Sequence, residues 1–190
     1  MAILTGDFLF AHASRLVADL GPDGDPVQHY LTVIAEKTGS LIATAGRYGG
    51  MFSGCTPEQV EALHRFGATI GTAFQISDDV IDIASPSDSS GKTPGTDLRE
   101  GVHTLPMLYA MQGQGSDADR LRTLLARPIS DDAEVDEALT LLRDGPGLVR
   151  ARDVLAEYAA SARAELATLP PRPATDALAA LTTYVVDRTG

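Results

Sequence analysis

One short run gathers several side chains able to do chemistry together. In Phe74-Gln75-Ile76-Ser77-Asp78-Asp79-Val80-Ile81-Asp82, a helix turning about 100° per residue brings Gln75, Asp78, Asp79 and Asp82 into one arc. The remaining girth is mainly apolar: Ala73, Phe74, Ile76, Val80, Ile81 and Ile83. A surface helix shows the opposite proportions, a broad polar face and a narrower apolar one. This helix is therefore expected to be buried, its acidic stripe facing an internal cavity. Three carboxylates crowded there repel one another and lose hydration, so they call for a cation or for protons. Oxygen-only ligands at i, i+1 and i+4 suit Mg²⁺, which keeps waters and shares its sphere with substrate phosphates. Upstream on the same stripe, Thr72, Gly71 and Ala68 are small and are expected to leave room for a bulky apolar ligand.

Two lysines are candidates for the positive charge that a diphosphate needs. Lys37 stands among Tyr30, Val33, Ile34 and Leu41 on one helical face. It either snorkels to the rim or presents its ammonium to the cavity as a point-charge phosphate ligand. Lys92, in Ser90-Gly91-Lys92-Thr93, lies in a small, polar, proline-bearing loop directly after the acidic helix, and such loops often close over substrates. Other candidates read as structural. Asp131 to Glu137 opens a helix with no apolar girdle and reads as a solvated first turn. His12, His29, His64 and His103 show no ligand spacing, and Cys55 has no nucleophilic partner in view.

The elements that position these groups are helices. Apolar residues recur every three to four positions from Ile3 to Leu20. Gly21-Pro22-Asp23-Gly24-Asp25-Pro26 breaks the chain, and a second helix is expected from Val27 to about Arg47, ended by Gly49-Gly50. Thr56-Pro57-Glu58 reads as an N-cap with proline at the first helical position, opening a long helix to about Ala84. Leu98 to Met111 reads as mostly helical, with Pro106 as a start or kink. The acidic run Ser130-Asp131-Asp132-Ala133-Glu134 reads as the N-cap and first turn of another helix, Leu148 to Leu166 forms a stripe on a further one, and Asp176 to Asp187 gives the last. The expectation is an all-α fold, a bundle of long helices, with residues 1–190 forming a single domain.

Composition narrows the function classes. The chain of 190 residues is 44% hydrophobic, enough to build a core, and carries a formal net charge of −11. That balance argues against a nucleic-acid partner, which requires clustered Lys and Arg. No apolar run approaches the ~18 residues of a membrane span. Asp7 stands where a signal peptide carries basic residues, and the single cysteine fits a reducing compartment, so a cytoplasmic location is expected.

The ordered motifs resemble those of one family. Phe74-Gln75-x-x-Asp78-Asp79-x-x-Asp82, Gly91-Lys92, and Gly95-x-Asp97-Leu98-Arg99-Glu100-Gly101-x-x-Thr104-Leu105-Pro106 closely resemble the second aspartate-rich region of trans-isoprenyl (polyprenyl) diphosphate synthases. Gly6-Asp7-x-Leu9 and Glu36-Lys37-Thr38 sit where that family has its GDxL and KT motifs, and Tyr184 to Gly190 is similar to its C-terminal end. The resemblance implies helices around a central cavity and condensation of an allylic diphosphate with isopentenyl diphosphate to a linear polyprenyl diphosphate. It assigns Mg²⁺ to Asp78, Asp79 and Asp82, diphosphate contacts to Lys37 and Lys92, and positions near the reacting carbon to Thr38 and Gln75. It also implies a homodimer or a dimer with a homologous subunit.

The departures are equally specific. The first aspartate-rich motif with its paired arginines, and the segment that binds isopentenyl diphosphate, are absent from these residues. A Gly/Pro linker between Leu20 and Val27 replaces a helix bearing a Gly-Gln motif, and Val102 stands where many members have lysine. The expectation is therefore a portion of a synthase, incomplete at the N-terminus, with at most weak turnover by itself. The alternatives are a non-catalytic partner subunit of a complete synthase and a terpene cyclase. Gly91-Lys92 and Thr104-Leu105-Pro106 speak against the cyclase.

Overall fold

The structure is a computed structural model that describes residues 24–85 and 94–189. The described residues are helical, with no strand among them. In chain order they form α1 (Pro26–Ile34), a π-helical turn (Ala35–Gly39), α2 (Ser40–Phe52), α3 (Pro57–Ala84), α4 (Thr96–Glu100) and α5 (Leu105–Met111). Then follow α6 (Ser116–Leu124), α7 (Asp132–Asp144), α8 (Pro146–Glu165), a 3₁₀ turn (Leu166–Thr168) and α9 (Pro173–Asp187). The all-α expectation holds. The helix expected over Ile3 to Leu20 lies outside the described residues. No described helix is long and apolar enough to cross a membrane.

The chain divides into two compact units. One comprises Met1–Gln75 with Tyr158–Thr183, the other Ile76–Glu157 with Tyr184–Gly190. The division falls within α3, between Gln75 and Ile76.

In the first unit, local chemistry sets the helix ends. The Asp25 side chain accepts the Val27 N–H at 3.0 Å and caps α1, with Pro26 in the first turn. Thr56 and Gln59 form a capping box at α3: the Gln59 N–H donates to Thr56 Oγ1 at 3.4 Å, and the Thr56 N–H to Gln59 Oε1 at 3.0 Å. The helix expected to stop at Gly49-Gly50 instead continues to Phe52. It ends in a Schellman motif, with Gly54 at φ +73°, the Cys55 N–H on the Gly50 carbonyl at 3.1 Å and the Gly54 N–H on that of Met51 at 3.4 Å. Gly50 stays helical because its bare face packs against Val60 and Leu63.

The expectation that Ala68, Gly71 and Thr72 leave room for a ligand is overturned. A Cβ at Gly71 would lie 2.9 Å from Gly39 Cα, and one at Gly39 would lie 2.9 Å from the Ala68 carbonyl oxygen. A Cβ at Gly67 would meet the Ile42 carbonyl oxygen at 2.6 Å. These small residues are spent on letting two backbones approach, and Thr72 is buried with its hydroxyl donating to the Ala68 carbonyl. Phe66 and Ile70 fill the core alongside.

In the second unit, Ile76, Val80 and Ile83 of α3 are fully buried, as the apolar girth of this helix requires. Each buried aliphatic side chain of this size contributes roughly 1.5–3 kcal/mol by removal from water. The single stretch expected from Leu98 to Met111 is two helices, because Gly101 at φ +71° ends α4 before Pro106 opens α5. The acidic run opens α7 as expected, and the residue that caps it is Asp131, which accepts the Glu134 N–H at 3.0 Å. Helix α6 has no counterpart in the sequence reading. Its polar stretch buries only Ala118, Leu121 and Leu124, too sparse a stripe to stand out.

Candidate metal and diphosphate site

Lys37, Thr38 and Gln75 belong to the first unit. Lys37 and Thr38 sit in the π-helical turn at Ala35–Gly39. A π turn inserts an extra residue into the α register and turns the local side chains away from the face that the flanking helix dictates. Here it leaves Lys37 exposed and Thr38 half-buried while Ile34 and Gly39 are buried on either side. The Thr38 hydroxyl donates to Gln75 Oε1 at 3.2 Å. This bond is possible because Gly39 and Gly71 bring the two backbones together. Thus the sequence-derived pair Thr38 and Gln75 is in contact, and Lys37 stands next to it as an exposed ammonium.

The carboxylates belong to the second unit, and each has its own environment. Asp78 is half-buried: its side chain is 37% exposed and accepts a hydrogen bond from an Arg188 guanidinium nitrogen at 2.6 Å. Asp79 is buried, with 6% of its surface exposed. Asp82 is turned to the chain that follows the acidic helix. Its two carboxylate oxygens accept the backbone N–H groups of Thr96 at 3.1 Å and Asp97 at 3.2 Å, while its carbonyl accepts that of Gly95 at 3.1 Å. A carboxylate receiving two consecutive amide groups anchors the segment as a cap does. Gly95 makes the approach possible. It stands at φ +78°, and a Cβ there would meet Val135 at 2.9 Å. Lys92, with Gly91 and the Gly6-Asp7-x-Leu9 motif, lies outside the described residues.

Among the described residues, no group of three or more His, Cys, Asp or Glu side chains is gathered as a metal cage. Magnesium does not need one, since it is commonly held by one or two carboxylates together with substrate phosphates and water. The donors fit that mode. They are all oxygen, and the part-exposed Asp78 already has a cation as partner.

Sequence reasoning missed Ser77 and Arg188. The Ser77 hydroxyl is buried, donates to the Val185 carbonyl at 2.9 Å and accepts the Arg188 Nε–H at 2.7 Å. Ser77 reads as one more small residue in an apolar run, and Arg188 is 110 positions from Asp78. No periodicity signals either.

Comparison with known proteins bears directly on the family. Residues 22–142 match the polyprenyl synthetase family model. The chain is 58% identical to a nonaprenyl diphosphate synthase of Mycobacterium tuberculosis, covering 100% of this chain and 64% of the relative. It is 30% identical to an octaprenyl diphosphate synthase of Escherichia coli, with 98% of this chain and 66% of that protein covered. Among solved structures, a geranylgeranyl pyrophosphate synthase of Corynebacterium glutamicum, complexed with calcium and isoprenyl diphosphate, superimposes with a TM-score of 0.83 at 44% identity. That match covers 98% of this chain and 60% of that one. The chain thus spans somewhat less than two thirds of the length of these relatives. The alignment with the mycobacterial relative runs over 216 positions against 190 residues here, so that protein carries positions within the matched region that have no counterpart in this chain. With more than half of its residues inside the family model, this chain belongs to the polyprenyl synthetase family.

Proposed function

We propose that this chain carries the diphosphate-leaving half of a trans-prenyltransferase, which condenses an allylic diphosphate with isopentenyl diphosphate to a linear polyprenyl diphosphate. The observation that carries the reading is Asp78: a part-exposed carboxylate next to the buried Ile76, Val80 and Ile83 of its helix, balanced by a cation, in a chain of this family. Asp78, together with Asp79 and Asp82, would hold Mg²⁺. When bound, that ion would supply positive charge to the departing diphosphate.

The chain's own residues do the rest. Lys37, exposed beside the Thr38–Gln75 pair, and Lys92 bind the diphosphate oxygens and offset an overall charge of −11 that would otherwise repel a polyanion. Thr38 and Gln75 hold each other by one hydrogen bond, so their polar atoms stay fixed near the reacting carbon and do not roam among rotamers. Asp82 orients the segment after the acidic helix by holding the amides of Thr96 and Asp97. A cytoplasmic location belongs to the same reading. So does pairing with a second copy or a homologous subunit, supported by the exposed Leu41, Tyr48, Met51 and Phe52 of α2.

The test is a product assay. The purified chain is given Mg²⁺, an allylic diphosphate and labelled isopentenyl diphosphate. The expected product is a longer linear diphosphate formed at well under ~1 s⁻¹, and abolished in Asp78→Ala. A cyclised hydrocarbon would transfer the chain to the cyclases. Co-purification with a longer homologue whose activity is unchanged by Asp78→Ala would make it a non-catalytic partner.

A further inference from the structure

The last turn of α9 is tied to the acidic helix through one arginine. Arg188 donates through Nε to Ser77 Oγ at 2.7 Å and through a terminal nitrogen to Asp78 Oδ1 at 2.6 Å. Ser77 in turn donates to the Val185 carbonyl, and Arg152 donates to the Thr189 carbonyl at 2.7 Å. The guanidinium is only 17% exposed, with Asp78 and the Ser77 hydroxyl among its partners. A divalent cation that takes Asp78 as a ligand meets this guanidinium bound to the same carboxylate. Two cations sharing one carboxylate repel strongly at such range in a partly desolvated site. The metal ion and the guanidinium therefore compete for this carboxylate.

We propose that Arg188 is a positioning residue for Asp78, a built-in counter-cation that orders the carboxylate and is displaced when a divalent metal binds there. Metal loading at Asp78 thereby loosens the last turn of α9. The proposal rests on the reading of Asp78 as a metal ligand. It adds that the C-terminal turn senses occupancy of the site. The sensing elements are explicit: the Arg188 N–H donates to the Tyr184 carbonyl and the Thr189 N–H to that of Val186, both at 3.1 Å, so loss of the Arg188–Asp78 bond leaves the turn with one tie fewer.

The experiment uses the full chain, Mn²⁺ and methylenediphosphonate, a diphosphate that cannot be hydrolysed. Mn²⁺ affinity is read from the free-ion paramagnetic signal for the native chain, Arg188→Gln and Arg188→Lys. Backbone hydrogen exchange at residues 188 and 189 is followed with and without the metal. Displacement requires that Arg188→Gln bind Mn²⁺ about three- to tenfold tighter, that Arg188→Lys keep the native affinity, and that exchange at 188 and 189 quicken on loading in the native chain. If Arg188→Gln does not fold, the exchange measurement alone decides. Equal or weaker binding by folded Arg188→Gln, or exchange unchanged by metal, overturns the proposal while leaving Asp78 a metal ligand. Absence of Mn²⁺ binding by the native chain overturns both.

Discussion

The Thr38 hydroxyl reaches across 37 positions of sequence to donate to the side-chain oxygen of Gln75. A net intramolecular hydrogen bond of this kind is worth about 0.5–1.5 kcal/mol. Thr38→Val and Gln75→Leu, made singly and together, are expected to show a coupling energy of that size in urea denaturation. Strict additivity of the two substitutions would mean that the pair makes no effective bond in solution.

The glycines of the first unit separate close packing from open space. Gly67→Ala places a methyl group 2.6 Å from the Ile42 carbonyl oxygen, and the expected loss of stability is about 1–3 kcal/mol. Gly49→Ala, with no atom within 4 Å of its added Cβ, is expected instead to gain about 0.5–1 kcal/mol through helix propensity. The denaturant midpoints of the two variants should move in opposite directions. A Gly67→Ala midpoint at or above the native value would refute the close approach of the two backbones.

Asp82 is expected to hold the start of α4 independently of any metal. Asp82→Ala removes the acceptor for two backbone amides and should cost about 0.5–2 kcal/mol, as loss of a capping side chain does. It should also raise hydrogen exchange at Thr96 and Asp97 in metal-free buffer. Unchanged protection at those two amides would show that the anchor lies elsewhere.

In the second unit, Arg120 and Glu137 form a two-pronged bond at 2.7 Å on each arm, linking α6 to α7. The Arg120 hydrogen bond holds the Glu137 carboxyl below its ordinary value. A carboxyl with a folded-state pKa lower than its unfolded one adds stability at pH values above the unfolded pKa, and that stability disappears as pH falls through the folded one. Melting temperatures of the native chain and Glu137→Gln should therefore differ at neutral pH and converge in acid. Because the pair is solvent-exposed, the difference should shrink in high salt. Parallel curves at every pH would contradict the pairing.

What could be read in the sequence follows from which signals are local. Helix α3 and its buried girth are legible because Ile76, Val80 and Ile83 recur at helical spacing, and the start of α7 because the acidic run from Ser130 to Glu134 is a local signal. The end of α2 was misplaced because Gly49-Gly50 resembles a break, while the real stop depends on φ at Gly54. The small residues Ala68 and Gly71 misled for a different reason. Smallness leaves space only if no neighbour fills it, and the neighbour here, the stretch Gly39–Ile42, comes from another helix. The π turn that sets Lys37 and Thr38 has no propensity signature. Arg188 was invisible as a partner of Asp78 because nothing in a linear pattern brings together residues 110 apart.

The most direct test is calorimetric titration of inorganic pyrophosphate into the folded full chain with Mg²⁺, the same titration with the metal chelated, and a third with Asp78→Asn in Mg²⁺. The expected result is measurable binding in the first case and affinity at least about tenfold weaker in the other two, one carboxylate–metal contact being worth 1.4 kcal/mol or more. Equal affinity in all three would contradict the assignment of Asp78 as the ligand through which a divalent cation holds the diphosphate.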